Sequence, residues 1–186
     1  MKRLFLALAA LALIAGCAPR NPDFVPPAEL ASVSYRNTGP TSLTLYTVIN
    51  RRSGAGAHTA LEVNADETVL FDPAGSFKAK DVPRSGDVLY GFSPAVEQAY
   101  SSNHARSAYL VRKINVPVSP AVAAMALQRV KANGPVGAAH CAQSTSAILR
   151  TLPGFEHIAQ TFYPKQLEAQ FSAMPGARSE TLIEED

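Results

Sequence analysis

Cys141, the one cysteine beyond the N-terminal region, stands where its sulfur could act as a nucleophile. It follows the small-residue run Gly134-Pro135-Val136-Gly137-Ala138-Ala139-His140 and opens a stretch whose Ile148, Leu149 and Leu152 fall on one helical face. At the first turn of a helix, unpaired N–H groups and the positive dipole end favour thiolate over thiol. Small neighbours leave room for a substrate carbonyl, and the Cys141 N–H could donate to the oxyanion that attack creates. Such a nucleophile needs an imidazole that takes its proton and returns it to the leaving group. His58 is the best placed of four histidines, because it opens a β-rich stretch directly after a Gly/Ala loop. The next β-rich stretch ends at Asp72, and a tight turn between the two would set their ends side by side. Alternation then puts His58 and Asp72 on one face, where the carboxylate could orient the imidazole and stabilise its protonated form.

Each of these residues has a quieter alternative. Cys141 also reads as a buried small hydrophobe or as a redox or partner thiol. His58 also reads as a hydrogen-bonded strand-end residue, and Asp72, in Asp72-Pro73-Ala74-Gly75, as ordinary turn chemistry. His104 and His157 read as exposed loop residues, and Arg51-Arg52 as a solvated pair ahead of an anion site. His140 is next to Cys141 in sequence, and neighbours at a helix start rarely face one another. No CxxC or HExxH spacing points to zinc, and no metal or cofactor is expected.

The elements that would carry these groups are legible from periodicity and caps. Residues 43–50, 58–63, 68–72, 86–90 and 107–116 have the β-branched and aromatic enrichment of strands, the first three forming a meander. Ser93-Pro94 and Ser119-Pro120 combine an N-cap with Pro in the first turn, predicting helices to about Ser101 and Ala132. Further helices are expected from Cys141 to Leu152 and from Pro164 to Met174, and the acidic end as a frayed terminus. The fold class is therefore α+β, an antiparallel sheet against a Cys-bearing helix.

Ahead of this body, Met1-Lys2-Arg3 and the apolar run Leu4–Ile14 have the charge and length of an export signal, the run being too short to span a bilayer. Leu13-Ile14-Ala15-Gly16-Cys17 resembles the lipobox of bacterial lipoproteins. That resemblance implies cleavage after residue 16, acylation (palmitate among the chains) at Cys17, and, with Ala18 following, attachment to the outer membrane facing the periplasm. Residues 17–41 carry five prolines and are expected as a flexible lipidated tether, with residues 42–186 as one domain. Loss of Lys2 and Arg3 leaves 15 basic against 15 acidic residues, which gives no reason to expect a nucleic-acid partner. Once Cys17 is consumed by lipid, Cys141 has no disulfide partner in an oxidising compartment, which favours a functional thiol.

The site residues resemble a family, the circularly permuted papain-like hydrolases related to NlpC-type cell-wall peptidases and lecithin:retinol acyltransferase-like proteins. Its H-x-[AG]-h pattern is matched by His58-Thr59-Ala60-Leu61, its later polar residue by Asp72, and its helix-start nucleophile by His140-Cys141, where the usual Asn is His140. The resemblance covers about residues 43–172 and implies a permuted papain-like fold with Cys141, His58 and Asp72 as catalytic residues. It implies a thiol peptidase or amidase acting on peptidoglycan peptide or another envelope substrate. Two alternatives stay open: an acyltransferase or lipid-ester hydrolase on the same scaffold, and a catalytically silent envelope-binding lipoprotein. The oligomeric state is not legible.

Overall fold

Side-chain alternation along three long strands decides which residues face which layer of the molecule. In the computed structural model, which describes residues 25–185, Leu43 and Leu45 point to one side of the sheet, and Tyr46 and Val48 to the other. Both sides are covered, so the central strand β1 (Ser42–Asn50) is buried along nearly its whole length. It pairs with β2 (Gly56–Asn64) on one edge and β6 (Tyr109–Pro117) on the other. The remaining strands are β3 (Thr68–Phe71), β4 (Arg84–Ser85), β5 (Val88–Leu89) and β7 (Arg178–Leu182). They complete an antiparallel sheet of order β4-β5-β3-β2-β1-β6-β7. The α+β class read from the sequence is the class observed.

Among the described residues, five helices flank this sheet: α1 (Pro27–Ser32), α2 (Pro94–His104), α3 (Pro120–Ala132), α4 (Cys141–Leu149) and α5 (Pro164–Ser172). Leu45, Leu61, Phe71 and Ile114 form one core with Ala126 and Val130 of α3, Leu149 of α4 and Phe171 of α5. On the opposite face, Tyr46, Leu70, Leu89 and Val111 pack with Phe92 and with Tyr100 of α2. Ser93 and Ser119 cap α2 and α3 through the N–H groups of Val96 and Val122, as their Ser-Pro pairs predict. By contrast α4 has no side-chain cap, so the first turn of the Cys141 helix keeps its N–H groups for other acceptors.

Several elements depart from expectation. Residues 86–90 do not form one strand: Gly86 and Asp87, with φ of 56° and 64°, make the tight turn of a short β4–β5 hairpin. The C-terminal segment is not wholly frayed, because β7 pairs with β6 from Asn115↔Arg178 to Val111↔Leu182. From Pro27 onward the expected tether lies on the body. Leu30 and Val33 pack on the first core, Tyr35 O accepts from Thr68 N, and Arg36 bridges to Asp66 at 2.6 Å. Residues 1–16 and Cys17 lie outside the described residues.

Candidate active site

The β2–β3 ladder runs only from Leu61↔Phe71 to Asn64↔Thr68, which leaves the first half of β2 without a strand partner on that edge. The start of α4 occupies the gap, and the backbone N–H groups of Thr59 and Ala142 donate to the Cys141 sulfur. Cys141 is buried, with 7% of its surface exposed, and belongs to neither of the two core clusters. His58, also on this free half of β2, is hydrogen-bonded through its side chain to the thiol. The other side of its ring is taken by Asp72, with Nε2 2.7 Å from Oδ1. That contact leaves Nδ1 as the nitrogen that faces the sulfur.

Register explains how Asp72 gets there. Leu61 opposes Phe71, so Ala60 stands level with Asp72 and His58 lies one same-face step further along β2. Diagonal neighbours of this kind are about 7–8 Å apart at the backbone, within reach of an imidazole and a carboxylate. Asp72 is fully buried and is held by more than His58. Tyr100 Oη donates to Oδ1 at 2.9 Å, Arg84 Nη2 contacts Oδ2, and Arg84 Nη1 donates to the Asp72 carbonyl at 3.0 Å. Arg84 also lies 3.5 Å from Asp87, whose Oδ2 accepts from Ala74 N and Val136 N at 2.9 and 2.8 Å. One buried network thus connects the loop after Asp72 with the loop that leads to Cys141.

Glycine is required at position 75, where a Cβ would lie 1.8 Å from Asp72 Oδ2. At Gly56 a Cβ would meet Pro164 Cβ at 2.7 Å, so the residue lets the start of α5 close onto β2 beside His58.

Electrostatics favour charge separation across the pair. Burial pushes the Cys141 thiol up, but the neighbouring His58 and the two N–H donors outweigh it and hold the thiol below its ordinary range. For His58, burial favours the neutral ring, yet the Asp72 hydrogen bond and the Cys141 sulfur prevail and raise it to about 9. Burial alone would raise Asp72; His58 and Arg84 instead lower it to about 2. The result is an imidazolium held by the Asp72 carboxylate, beside a sulfur that carries charge at lower pH than a free thiol.

The structure therefore brings Cys141, His58 and Asp72 together. His140 and His157 stay apart from this cluster. His140 is exposed, donates Nδ1–H to Ala138 O at 2.7 Å and sets its ring edge-on to Phe162, while His157 lies exposed in a turn. His104 is a correction to the expected loop residue. It ends α2, half-buried, with its ring stacked on His58 at 6.1 Å between centroids and 16° between planes. Its Nδ1–H donates to Tyr100 O at 2.8 Å, and burial lowers its pKa, so a neutral ring covers the charged one. Sequence reasoning missed Arg84, Tyr100 and His104. Only the i, i+4 spacing of Tyr100 and His104 hinted that both could face one site.

Comparison with known proteins gives no match: no family model, curated protein or solved structure is similar to this chain.

Proposed function

We propose that the chain is a cell-envelope thiol hydrolase of permuted papain-like architecture, in which Cys141 attacks an amide or related acyl bond of a peptidoglycan peptide. The observation that carries this reading is the contact of the Cys141 thiol with a His58 ring that Asp72 anchors at 2.7 Å. In the first step the thiolate forms an S–C bond to the carbonyl carbon, and the Cys141 N–H receives the developing oxyanion. His58 Nδ1–H gives its proton to the departing nitrogen as the C–N bond breaks, which leaves a thioester. His58, now neutral, takes a proton from water; the hydroxide adds to the thioester, the S–C bond breaks, and a carboxylic acid departs with the thiolate restored. Asp72 holds the ring throughout and stabilises its charged form, while Arg84 and Tyr100 hold Asp72. Acylation at Cys17 after removal of residues 1–16 would keep this chemistry at the outer membrane, on the periplasmic side.

Digestion of purified muropeptides, read by mass spectrometry, tests the reading. Wild type is expected to release a new carboxylate with uptake of one water, Cys141→Ala to release none, and His58→Ala to lose at least 100-fold in rate. Transfer of the acyl group to a lipid or amine acceptor instead of water would reassign the chain as an acyltransferase. Equal turnover by wild type and Cys141→Ala would remove the thiol from the chemistry, and failure of His58-dependent thiol labelling would leave a binding protein.

A further inference from the structure

A cavity of about 360 Å³ opens on the α2 side of the sheet, away from Cys141 and within the size range of small-molecule sites, about 300–1,000 Å³. Its floor is built by strand register. Glu62 of β2, Thr44 of β1, Asn115 of β6 and Arg178 of β7 stand directly opposite one another, in that order, across four strands. A carboxylate therefore begins the row, a hydroxyl and an amide fill its middle, and a guanidinium ends it. A parallel row of Tyr46, Lys113 and Glu180 runs beside it.

Most of the charge in the second row is already neutralised. Lys113 Nζ bridges Glu97 at 3.0 Å and also contacts Glu180, and Glu97 further accepts from Ser101 Oγ at 2.8 Å. The first row is different. Glu62 accepts from Tyr46 Oη through Oε2 at 2.6 Å, but its Oε1 has no partner among the described residues. Burial, and less so the Glu97 charge, hold this carboxyl above its ordinary range against the opposing Tyr46 hydrogen bond. Arg178, at the other end, forms no ion pair or side-chain hydrogen bond among the described residues, although three carboxylates line the same cavity. In the middle, Asn115 Nδ2 donates to Thr44 Oγ1 at 2.9 Å, which directs the amide oxygen of Asn115 to a different donor.

We propose that this cavity binds a short zwitterionic peptide in extended form, its ammonium group on Glu62, its peptide N–H on Asn115 and its carboxylate on Arg178. Length selects a peptide over a free amino acid. Three inter-strand steps separate the backbones of Glu62 and Arg178 by about 14 Å. An extended dipeptide adds roughly 7 Å between the two side chains, whereas a single amino acid carries both charges on one carbon. Tyr35 and Phe92 contribute apolar wall for the peptide's side chains. The site is independent of the thiol chemistry and stands whether or not Cys141 is a nucleophile.

Calorimetric titration of the purified full chain carrying Cys141→Ala, which cannot consume the ligand, tests it with alanyl-alanine as the probe. Alanyl-alanine is expected to bind at one site, and its N-acetyl derivative, its C-terminal amide and free alanine each at least tenfold more weakly. Arg178→Ala, at an exposed position, should erase the discrimination against the amide while retaining that against the acetylated form. Glu62→Gln should do the reverse. Absence of alanyl-alanine binding at millimolar concentration, equal affinity for blocked and free dipeptides, or unchanged selectivity in Arg178→Ala would each overturn the proposal. Because the Arg178 side chain is exposed and forms no ion pair or hydrogen bond among the described residues, that variant decides the matter even if Glu62→Gln does not fold.

Discussion

Charge on the Cys141 sulfur is bound up with charge on His58, and this coupling is measurable without knowing a substrate. The rate of alkylation by iodoacetamide should stay high well below the pH at which an ordinary thiol loses reactivity, and His58→Gln should move the profile upward by removing the leading opposing group. An unchanged profile in His58→Gln would mean that the imidazole does not tune the thiol. Asp72 gives a stability prediction with a defined sign. Its carboxyl falls from an ordinary 3.8 to about 2, so its contribution is full above 3.8 and disappears as pH falls through about 2. His58 rises from 6.5 to about 9, so its contribution is full below 6.5 and disappears as pH rises through about 9. The gap between wild type and Asp72→Asn should therefore be widest between about pH 4 and pH 6.5 and shrink at both ends. Within that window urea unfolding should show a loss of about 3–5 kcal/mol, because the substitution strands Arg84 beside a neutral amide. A gap independent of pH would contradict the assigned charges.

At the scale of elements, the site depends on a loop folded back over its own carboxylate. Gly75→Ala would force a Cβ into Asp72 Oδ2, so either the loop or the carboxylate must move. The expected outcome is a slower, upward-shifted alkylation profile at Cys141 in a protein whose circular dichroism is retained, since Gly75 lies outside helix and strand. A wild-type profile in this variant would show that the network tolerates displacement of Asp72. This dependence also explains which features could be read in advance. The cap pairs Ser93-Pro94 and Ser119-Pro120, the meander and the helix starting at Cys141 are local signals, each written within a few residues. β7 escaped notice because Arg178-Ser179-Glu180-Thr181-Leu182 is an exposed edge strand with little apolar alternation. The β4–β5 hairpin was too short to give a period at all. Arg84, Tyr100 and His104 reach His58 and Asp72 only because α2 lies across the sheet and the hairpin folds beside β3, and pairwise distances of that kind leave no mark on a linear pattern.

For the whole molecule, the contact between the N-terminal segment and the body sets how far the domain could stand from a lipid surface. Leu30 and Val33 pack against the first core, and Gly91 sits so close to Val33 that a Cβ there would lie 2.8 Å from its carbonyl oxygen. The same segment is fastened by Arg36 to Asp66 and by Asn64 to the Pro40 carbonyl. On a bilayer, energy transfer between a membrane dye and a label on exposed Lys78 should fall when Leu30→Asp and Val33→Asp are combined, because the segment is then released. Unchanged transfer would show that the docked segment does not limit the domain's distance from the lipid. Ten peptide steps separate Cys17 from Pro27, so an acylated Cys17 would confine the first helix to within about 36 Å of the headgroups. Were the leash to begin at residue 42, twenty-five steps would allow about 90 Å. If Cys17 carries lipid and the proposed hydrolysis takes place, the docked segment would act as a ruler, restricting cutting to the stratum of envelope nearest the bilayer and leaving more distant strands out of range, whatever their chemistry.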